Sequence, residues 1–318
     1  MTKINSMKNS KVLIVGAGGV GAYFGGRLAQ SGMEVSVLCR SNYEPVEENG
    51  FEIKSIAGDF SFKPAGVYRS CLEYPDMADY LIVTTKVLPE IDVVKIIKDA
   101  VKPDTMIVLI QNGIEIEQEI AKAFPDNKLV SSIAYIGVFQ LEGGKIEHQA
   151  AGRLKMGVYQ GGSSEKLDLL GANFNKVNVE CEIVEDIEFF RWVKLVWNTP
   201  YNPVSILAGG VDTKVISETK PLEDLCAELM REVCAVAKSR DIHLPEDIIQ
   251  KNLEYTRDFP PYKTSMLLDF ENKRPLEVEA IVGKVVRIAR EEKVAVPHLE
   301  TVYALLTSID IKNRSYED

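Results

Sequence analysis

Short, almost wholly apolar runs recur through the first half of the chain, each five or six residues long. Such runs are typical of strands buried on both faces, which belong to parallel sheets. The segments between them space their apolar residues three and four apart, as amphipathic helices do. The predicted strands are residues 11–15, 34–38, 80–85 and 106–110, and the predicted helices are residues 20–31, 90–101 and 114–124. This alternation predicts a doubly wound, mostly parallel sheet.

Two further stretches of the first half predict additional strands. Residues 51–62 alternate apolar and polar positions around Gly58 and Asp59, which predicts a hairpin inserted after the second strand. Residues 130–159 contain a turn at Gly143 and Gly144 and predict strands that complete the sheet.

The strand pattern fades after about residue 186, and the remaining periodicity is helical. The helices predicted there are residues 187–197, 221–240, 246–259, 276–292 and 298–311. We therefore predict an α/β Rossmann-type domain over residues 8–186, followed by an all-α domain over residues 187–318.

A glycine-rich turn of the form GxGxxG follows the first predicted strand and opens the first helix. In such turns the glycines allow a tight bend, close approach of a pyrophosphate, and packing of the helix on the strand. The helix N-terminus adds N–H donors and the positive end of the helix dipole. These features indicate a dinucleotide-binding turn, and the alternative is a glycine-rich turn that binds no ligand. The residues assigned to dinucleotide binding are Gly16, Ala17, Gly18, Gly19, Val20 and Gly21.

The end of the second strand indicates which dinucleotide would bind. A site for NAD usually places an acidic residue there to bind the ribose 2′-hydroxyl. This chain has Arg40 instead, with Ser41 and Asn42 beside it. A guanidinium can form paired hydrogen bonds to a 2′-phosphate, so we expect NADP(H), although Arg40 could also be a solvated loop charge.

Polar residues follow two more of the predicted strands. Lys86 follows the third strand and Asn112 follows the fourth, at the sheet edge where ligands bind in such folds. Each could be an ordinary turn residue, because Asn-Gly is a common turn pair. Two polar residues at neighbouring strand ends favour a binding role.

Composition narrows the classes of partner. The 37 basic and 47 acidic residues give a net charge of −10, which disfavours nucleic acid and anionic lipid. No apolar run is long enough to cross a bilayer, and the polar first ten residues do not resemble a signal peptide. The five cysteines are scattered and the three histidines form no metal motif, so we expect a cytoplasmic protein without a metal site.

The helical half carries a polar stripe. Lys194, Asn198 and Asn202 fall at positions i, i+4 and i+8, which is one face of a helix if the helix persists. Such a polar stripe could line a cleft, or it could simply face solvent. Further along, Ser265 and Glu277 stand twelve residues apart, and their spacing does not show whether they meet.

The chain resembles the ketopantoate reductase (2-dehydropantoate 2-reductase) family over nearly its whole length. The matching segments are GAGGVG, TTK, QNG, RWVKLVWNTPYNP, TSMLLD and LEVEAIVGKVV. The resemblance implies NADPH-dependent reduction of 2-dehydropantoate, a 2-oxoacid, to (R)-pantoate in the synthesis of pantothenate.

The resemblance also implies roles for individual residues. Lys194 matches the catalytic lysine, expected to donate the proton, and Glu277 matches the acid between the cofactor and the substrate hydroxyl. The residues matching the substrate site are Asn112, Asn198, Asn202 and Ser265. The residues matching the cofactor site are Lys86, Asn112, Glu277 and the six residues of the glycine-rich turn. Burial would lower the pKa of Lys194 and a nearby carboxylate would raise it, and the sequence leaves the balance open.

Two other functions and one assembly state remain open at this point. The chain could be an NADP-dependent dehydrogenase for another 2-oxo or hydroxy acid, or a sensor that binds NADP without turnover. The helices predicted at residues 276–292 and 298–311 could form the seam of a homodimer or be buried within their own domain.

Overall fold

The computed structural model describes residues 10–40 and 42–314. Ser41, the residues before Ser10 and those after Arg314 lie outside the described part. The chain divides into two compact units. The first unit contains the residues up to Lys86, together with Ile91–Gln111 and Ile116–Ile187. The second contains Val87–Glu90, Asn112–Glu115 and the residues from Glu188 onward. The boundary predicted between residues 186 and 187 stays a prediction.

The first unit is built on a ten-stranded sheet. The strands are β1 (Lys11–Val15), β2 (Glu34–Leu38), β3 (Phe51–Ser55), β4 (Phe60–Phe62), β5 (Val67–Tyr68), β6 (Tyr80–Val83), β7 (Met106–Ile110), β8 (Leu129–Gln140), β9 (Lys145–Val158) and β10 (Cys181–Ile183). Their order is β4-β3-β9-β8-β7-β6-β1-β2-β5, and β10 also pairs with β9. Among the strand pairs of the described residues, β3–β4 and β8–β9 are antiparallel and the others are parallel. The predicted mostly parallel sheet is confirmed, as is the hairpin at residues 51–62.

Helices cover both faces of this sheet. They are α1 (Gly19–Ser31), α2 (Tyr43–Asn49), α3 (Val93–Ile97), α4 (Gln118–Ala123) and α5 (Glu165–Lys176). Because side chains alternate along a strand, Ile14 of β1 packs in the cluster with Phe24 of α1, whereas Leu13 packs in the cluster with Ile97 of α3. This double cover explains why a central strand such as β7 is apolar and buried at every position.

Two helices of the first unit are shorter than the sequence predicts. Helix α3 begins only at Val93, because the Asp92 side chain accepts a hydrogen bond from the Lys95 N–H and caps the helix there. The helix predicted over residues 114–124 begins at Gln118. Gly113 and Glu115 have φ angles of 96° and 54°, in the left-handed region that a right-handed helix excludes.

The second unit is helical. Its helices are α6 (Ile187–Leu207), α7 (Thr213–Glu218), α8 (Lys220–Ser239), α9 (Ile248–Asp258), α10 (Ser265–Glu271), α11 (Lys284–Glu291) and α12 (Pro297–Arg314). A π-helical turn, Glu279–Gly283, precedes α11. These helices share one apolar core, to which Ile114 also contributes. Among the described residues, no helix is both long and apolar enough to cross a membrane.

Two of the predicted helix bounds that are wrong in this unit lie at candidate site residues. Helix α6 does not end at Trp197 but continues through Pro200 and Pro203 to Leu207, so Lys194, Asn198 and Asn202 do lie on one helix. The helix predicted from residue 276 starts at Val278, and the Leu276 N–H donates to Asp310 Oδ1.

Candidate active site

The glycine-rich turn joins β1 to α1 at the carboxyl edge of the sheet. Gly16 has φ 97°, and a methyl group at its position would lie 2.8 Å from both Cγ2 and N of Thr85. The N–H groups of Gly16 and Ala17 both point to the Leu38 carbonyl, at 3.3 Å. The turn is therefore fixed against the ends of β2 and β6.

The other glycines of the turn differ in what surrounds them. A methyl group at Gly21 would lie 2.5 Å from both the Gly16 carbonyl oxygen and Thr84 Oγ1, so the packing of the protein itself excludes it. Gly18 has neither constraint: its φ is −78°, and among the described residues only Gln140 Oε1, at 3.8 Å, would come near such a methyl group. Open space at the second glycine is what close approach of a pyrophosphate requires. The turn fits a dinucleotide.

Further polar groups line this edge of the first unit. Thr84 Oγ1 donates to the Gly16 carbonyl at 2.6 Å, and Gln111 Nε2 donates to the Thr85 carbonyl at 2.7 Å. Lys86 follows Thr85 directly and is half-buried. Arg40 lies two residues beyond the carbonyl that anchors the turn, and its side chain is exposed. Ser41, the neighbour expected to assist it, lies outside the described residues.

The second unit brings together three of the predicted site residues. Lys194 Nζ donates to Asn112 Oδ1 at 2.8 Å, and Asn112 Nδ2 donates to Glu277 Oε2 at 3.1 Å. The Val87 N–H donates to Glu277 Oε1 at 2.9 Å. The Asn112 amide thus bridges an ammonium group and a carboxylate, and the two binding partners of the amide fix its orientation.

The surroundings of Lys194 change its acidity. Desolvation by burial, together with the positive charge of Arg191, lowers the pKa of Lys194 from 10.5 to about 8. The Glu277 carboxylate acts in the opposite direction and does not compensate. The balance that the sequence left open therefore falls toward a more acidic lysine, in the range suited to proton transfer at neutral pH.

Asn198 and Asn202 follow Lys194 on α6 in successive turns. Asn198 is 7% exposed, and its side-chain amide has no hydrogen-bond partner among the described residues. Asn202 is 1% exposed and both ends of its amide have a partner: its Nδ2 donates to the Asn198 carbonyl at 3.0 Å, and its Oδ1 accepts from the Met266 N–H at 3.3 Å. Asn198 is therefore available to a ligand, whereas Asn202 links α6 to α10.

Ser265 begins α10 and is exposed. The preceding residue, Thr264, caps that helix by accepting from the Leu267 N–H and contacts Ser205 Oγ at 2.9 Å. Through the bond from Met266 to Asn202, the start of α10 is held against α6. No direct bond between Ser265 and Glu277 is found among the described residues.

Some residues of the site carried no assignment from sequence. Arg191 is 5% exposed and its Nη1 donates to the Gly113 carbonyl at 3.0 Å. The only sequence signal for it was its position three residues before Lys194, on the same helix face. Val87 acts through its backbone N–H, for which the residue type gives no signal, and the side chains of Thr84 and Gln111 donate to backbone carbonyls.

The chain matches the family models described as "Ketopantoate reductase PanE/ApbA" over residues 12–161 and "Ketopantoate reductase PanE/ApbA C terminal" over residues 186–310. It belongs to the ketopantoate reductase family. The resemblance stated from the motifs is thereby confirmed. This ketopantoate reductase family member is an oxidoreductase.

Individual relatives match nearly the whole chain. The 2-dehydropantoate 2-reductase of Nostoc sp. is 32% identical over 314 residues, covering 97% of this chain and 98% of the relative. The crystal structure of 2-dehydropantoate 2-reductase from Methylococcus capsulatus is 45% identical, with a TM-score of 0.89, covering 95% of this chain and 97% of that one. A D-mandelate dehydrogenase solved with NADH and anilino(oxo)acetate has a TM-score of 0.85 at 22% identity, covering 95% of this chain and 99% of that one, which shows the fold alone.

Proposed function

We propose that this protein reduces 2-dehydropantoate to (R)-pantoate with NADPH, and that Lys194 donates the proton. The observation that carries the proposal is the contact of Lys194 Nζ with Asn112 Oδ1 at 2.8 Å, with Glu277 on the other side of the same amide. Relatives of nearly full length that are named 2-dehydropantoate 2-reductase support the choice of substrate.

The bound cofactor would supply a hydride to the ketone carbon of the substrate. Negative charge then grows on the carbonyl oxygen, and an ammonium group beside that oxygen stabilises the transition state more than the ground state. Lys194 can next transfer one proton to this oxygen, which completes the alcohol and leaves the lysine neutral. A pKa of about 8 suits the step, because the lysine is mostly protonated at neutral pH yet gives up its proton readily.

Asn112 and Glu277 orient the proton donor in this proposal. The Asn112 oxygen accepts a hydrogen bond from Lys194 Nζ and so fixes the direction of the ammonium group. Glu277 is 8% exposed and keeps the amide in that orientation, while its remaining lone pairs can accept a hydrogen bond from the product hydroxyl. A proton donor that is already in position lowers the entropic cost of reaching the transition state and so raises the rate.

The polar face of α6 would hold the rest of the substrate. The amide of Asn198, one turn beyond Lys194, can donate to the carboxylate of a 2-oxoacid. Ser265 offers an exposed hydroxyl at the start of α10. We propose that Asn202 supports both residues through its bonds to the Asn198 carbonyl and the Met266 N–H, and a direct contact with substrate stays a prediction.

The cofactor assignment rests on the first unit. The Gly16–Gly21 turn would bind the pyrophosphate, helped by the backbone N–H groups at the start of α1. Arg40 would bind the 2′-phosphate that distinguishes NADPH from NADH, because no acidic residue ends β2. Lys86, which follows Thr85 beside Gly16, would add a second positive charge near the cofactor.

Steady-state kinetics test the proposal. Consumption of NADPH and of NADH is measured in parallel with 2-dehydropantoate and with a panel of other 2-oxoacids. We expect the highest kcat/KM for 2-dehydropantoate with NADPH. A higher kcat/KM for another 2-oxoacid would show that 2-dehydropantoate is not the preferred substrate. Tight NADPH binding without turnover of any ketoacid would favour a sensor over an enzyme.

A further inference from the structure

The segment that carries Asn112 is held from several sides of the second unit. Gly113 has φ 96°, and a methyl group there would lie 2.7 Å from the Ala280 carbonyl oxygen of the π-helical turn. Ile114 is 2% exposed within the helical core. Lys284 of α11 lies 3.6 Å from a carboxylate oxygen of Glu115. The position of the Asn112 backbone is therefore set by what surrounds residues 113–115.

Arg191 makes a polar contact with the residue that follows Asn112. Its Nη1 donates to the carbonyl of Gly113, the residue that follows Asn112, at 3.0 Å. The guanidinium is 5% exposed, and in such surroundings a hydrogen bond from a charged donor is stronger than one between neutral groups. Loss of this bond would leave a buried carbonyl unsatisfied and free the peptide that follows Asn112 to rotate.

Arg191 also lies beside the proton donor. It precedes Lys194 by three residues on α6, so both side chains leave the same face of the helix. The charged groups acting on Lys194 are Arg191 from its own helix and Glu277 from the segment before the π-helical turn. The neighbouring Glu115 is paired with Lys284.

We propose that Arg191 is a positioning residue that holds the Asn112 amide in register with Lys194 and Glu277 and places a second positive charge beside the Lys194 ammonium. The inference rests on the proposed function, since it gives Lys194 the proton-transfer step. The proposed action of Arg191 has two parts. The hydrogen bond to Gly113 orients Asn112, and the charge makes Lys194 release its proton at lower pH.

Two substitutions separate these effects. Arg191→Lys keeps the charge but loses the planar fork that reaches the Gly113 carbonyl, whereas Arg191→Gln loses both. We expect kcat to fall about tenfold in each variant, with NADPH affinity unchanged. The pH at which Lys194 loses its proton should stay at the wild-type value in Arg191→Lys and rise in Arg191→Gln. Arg290→Gln, at an exposed arginine paired with Glu300, is the matched control and should change neither property.

The protonation of Lys194 is measured without turnover, by competitive labelling with trace acetic anhydride at a series of pH values and mass spectrometry of the peptide that contains Lys194. An unchanged labelling midpoint in Arg191→Gln, or wild-type kcat in both variants, would overturn the proposal. If the wild-type protein consumes no NADPH with any ketoacid, the proposed function fails, yet the labelling midpoints still decide whether Arg191 acts on Lys194.

Thermal unfolding of each variant separates loss of fold from loss of positioning. If Arg191→Gln does not fold, Gly113→Ala moves the same segment without changing any charge, because its methyl group would meet the Ala280 carbonyl. We expect that variant to lose kcat and to keep the wild-type labelling midpoint. Wild-type kcat in a folded Gly113→Ala protein would contradict the positioning role.

Discussion

Raising the pH should slow the reduction before it affects the fold, because the proton donor titrates close to neutrality. With a pKa of about 8, Lys194 is about 90% protonated at pH 7 and about 9% protonated at pH 9. A lysine with the ordinary value of 10.5 would lose only about 3% of its protons over the same range. If the protonated form alone is active, kcat/KM for 2-dehydropantoate should fall about tenfold between pH 7 and pH 9.

The assay follows the loss of NADPH absorbance from pH 6 to pH 10 at constant ionic strength. The sign follows from the chemistry: reduction consumes a proton, so the active form is the charged lysine and activity declines as pH rises through its pKa. Lys251→Ala, which removes an exposed lysine paired with Asp247, is the control and should keep the wild-type profile. A flat profile between pH 7 and pH 9 would refute both the lowered pKa and the donor role.

Three further predictions follow from the same structure. Gly18→Ala should leave the unfolding temperature unchanged and weaken NADPH binding at least about tenfold. Gly21→Ala should instead lower the unfolding temperature, because its methyl group meets the Gly16 carbonyl and Thr84. Calorimetry and fluorescence titration distinguish the two variants, and equal effects would contradict the fit of the turn to a pyrophosphate. Asn198→Ala should raise KM for 2-dehydropantoate with little change in stability. Asn202→Ala should lower the unfolding free energy by about 1–3 kcal/mol, because it leaves the Met266 N–H unsatisfied. Denaturant unfolding and steady-state kinetics check both variants, and wild-type stability of Asn202→Ala would refute the role of Asn202 in linking α6 to α10. Arg40→Ala should raise KM for NADPH and leave KM for NADH unchanged, and a parallel rise in both would show that Arg40 does not bind the 2′-phosphate.

The sheet followed from the sequence because burial on both faces leaves a clear signal. Strands β1, β2 and β7 have the bounds that their apolar runs predict, and the Phe51–Phe62 hairpin pairs as its alternation indicates. Helix bounds were less predictable where a side chain or a backbone angle determines them. The Asp92 cap of α3 and the left-handed Glu115 before α4 each shortened a helix whose apolar spacing extended further.

The candidate site followed only in part. The i, i+4, i+8 spacing on α6 and the position of Asn112 after β7 were visible in the sequence. The contact between Lys194 and Asn112 was not, because it depends on the segment Asn112–Glu115, which belongs to the helical unit. Backbone carbonyls and N–H groups determine how α6 continues past two prolines and what the side chains of Arg191 and Asn202 bind. Residue types do not report on those contacts. The homodimer stays a prediction.

The turnover of Lys194→Ala with saturating 2-dehydropantoate and NADPH tests the central claim most directly. Removal of a group that stabilises charge in the transition state should reduce kcat by about 10²–10³-fold, while the Kd for NADPH stays within about twofold of the wild-type value. Turnover at the wild-type rate in a folded Lys194→Ala protein would contradict the account.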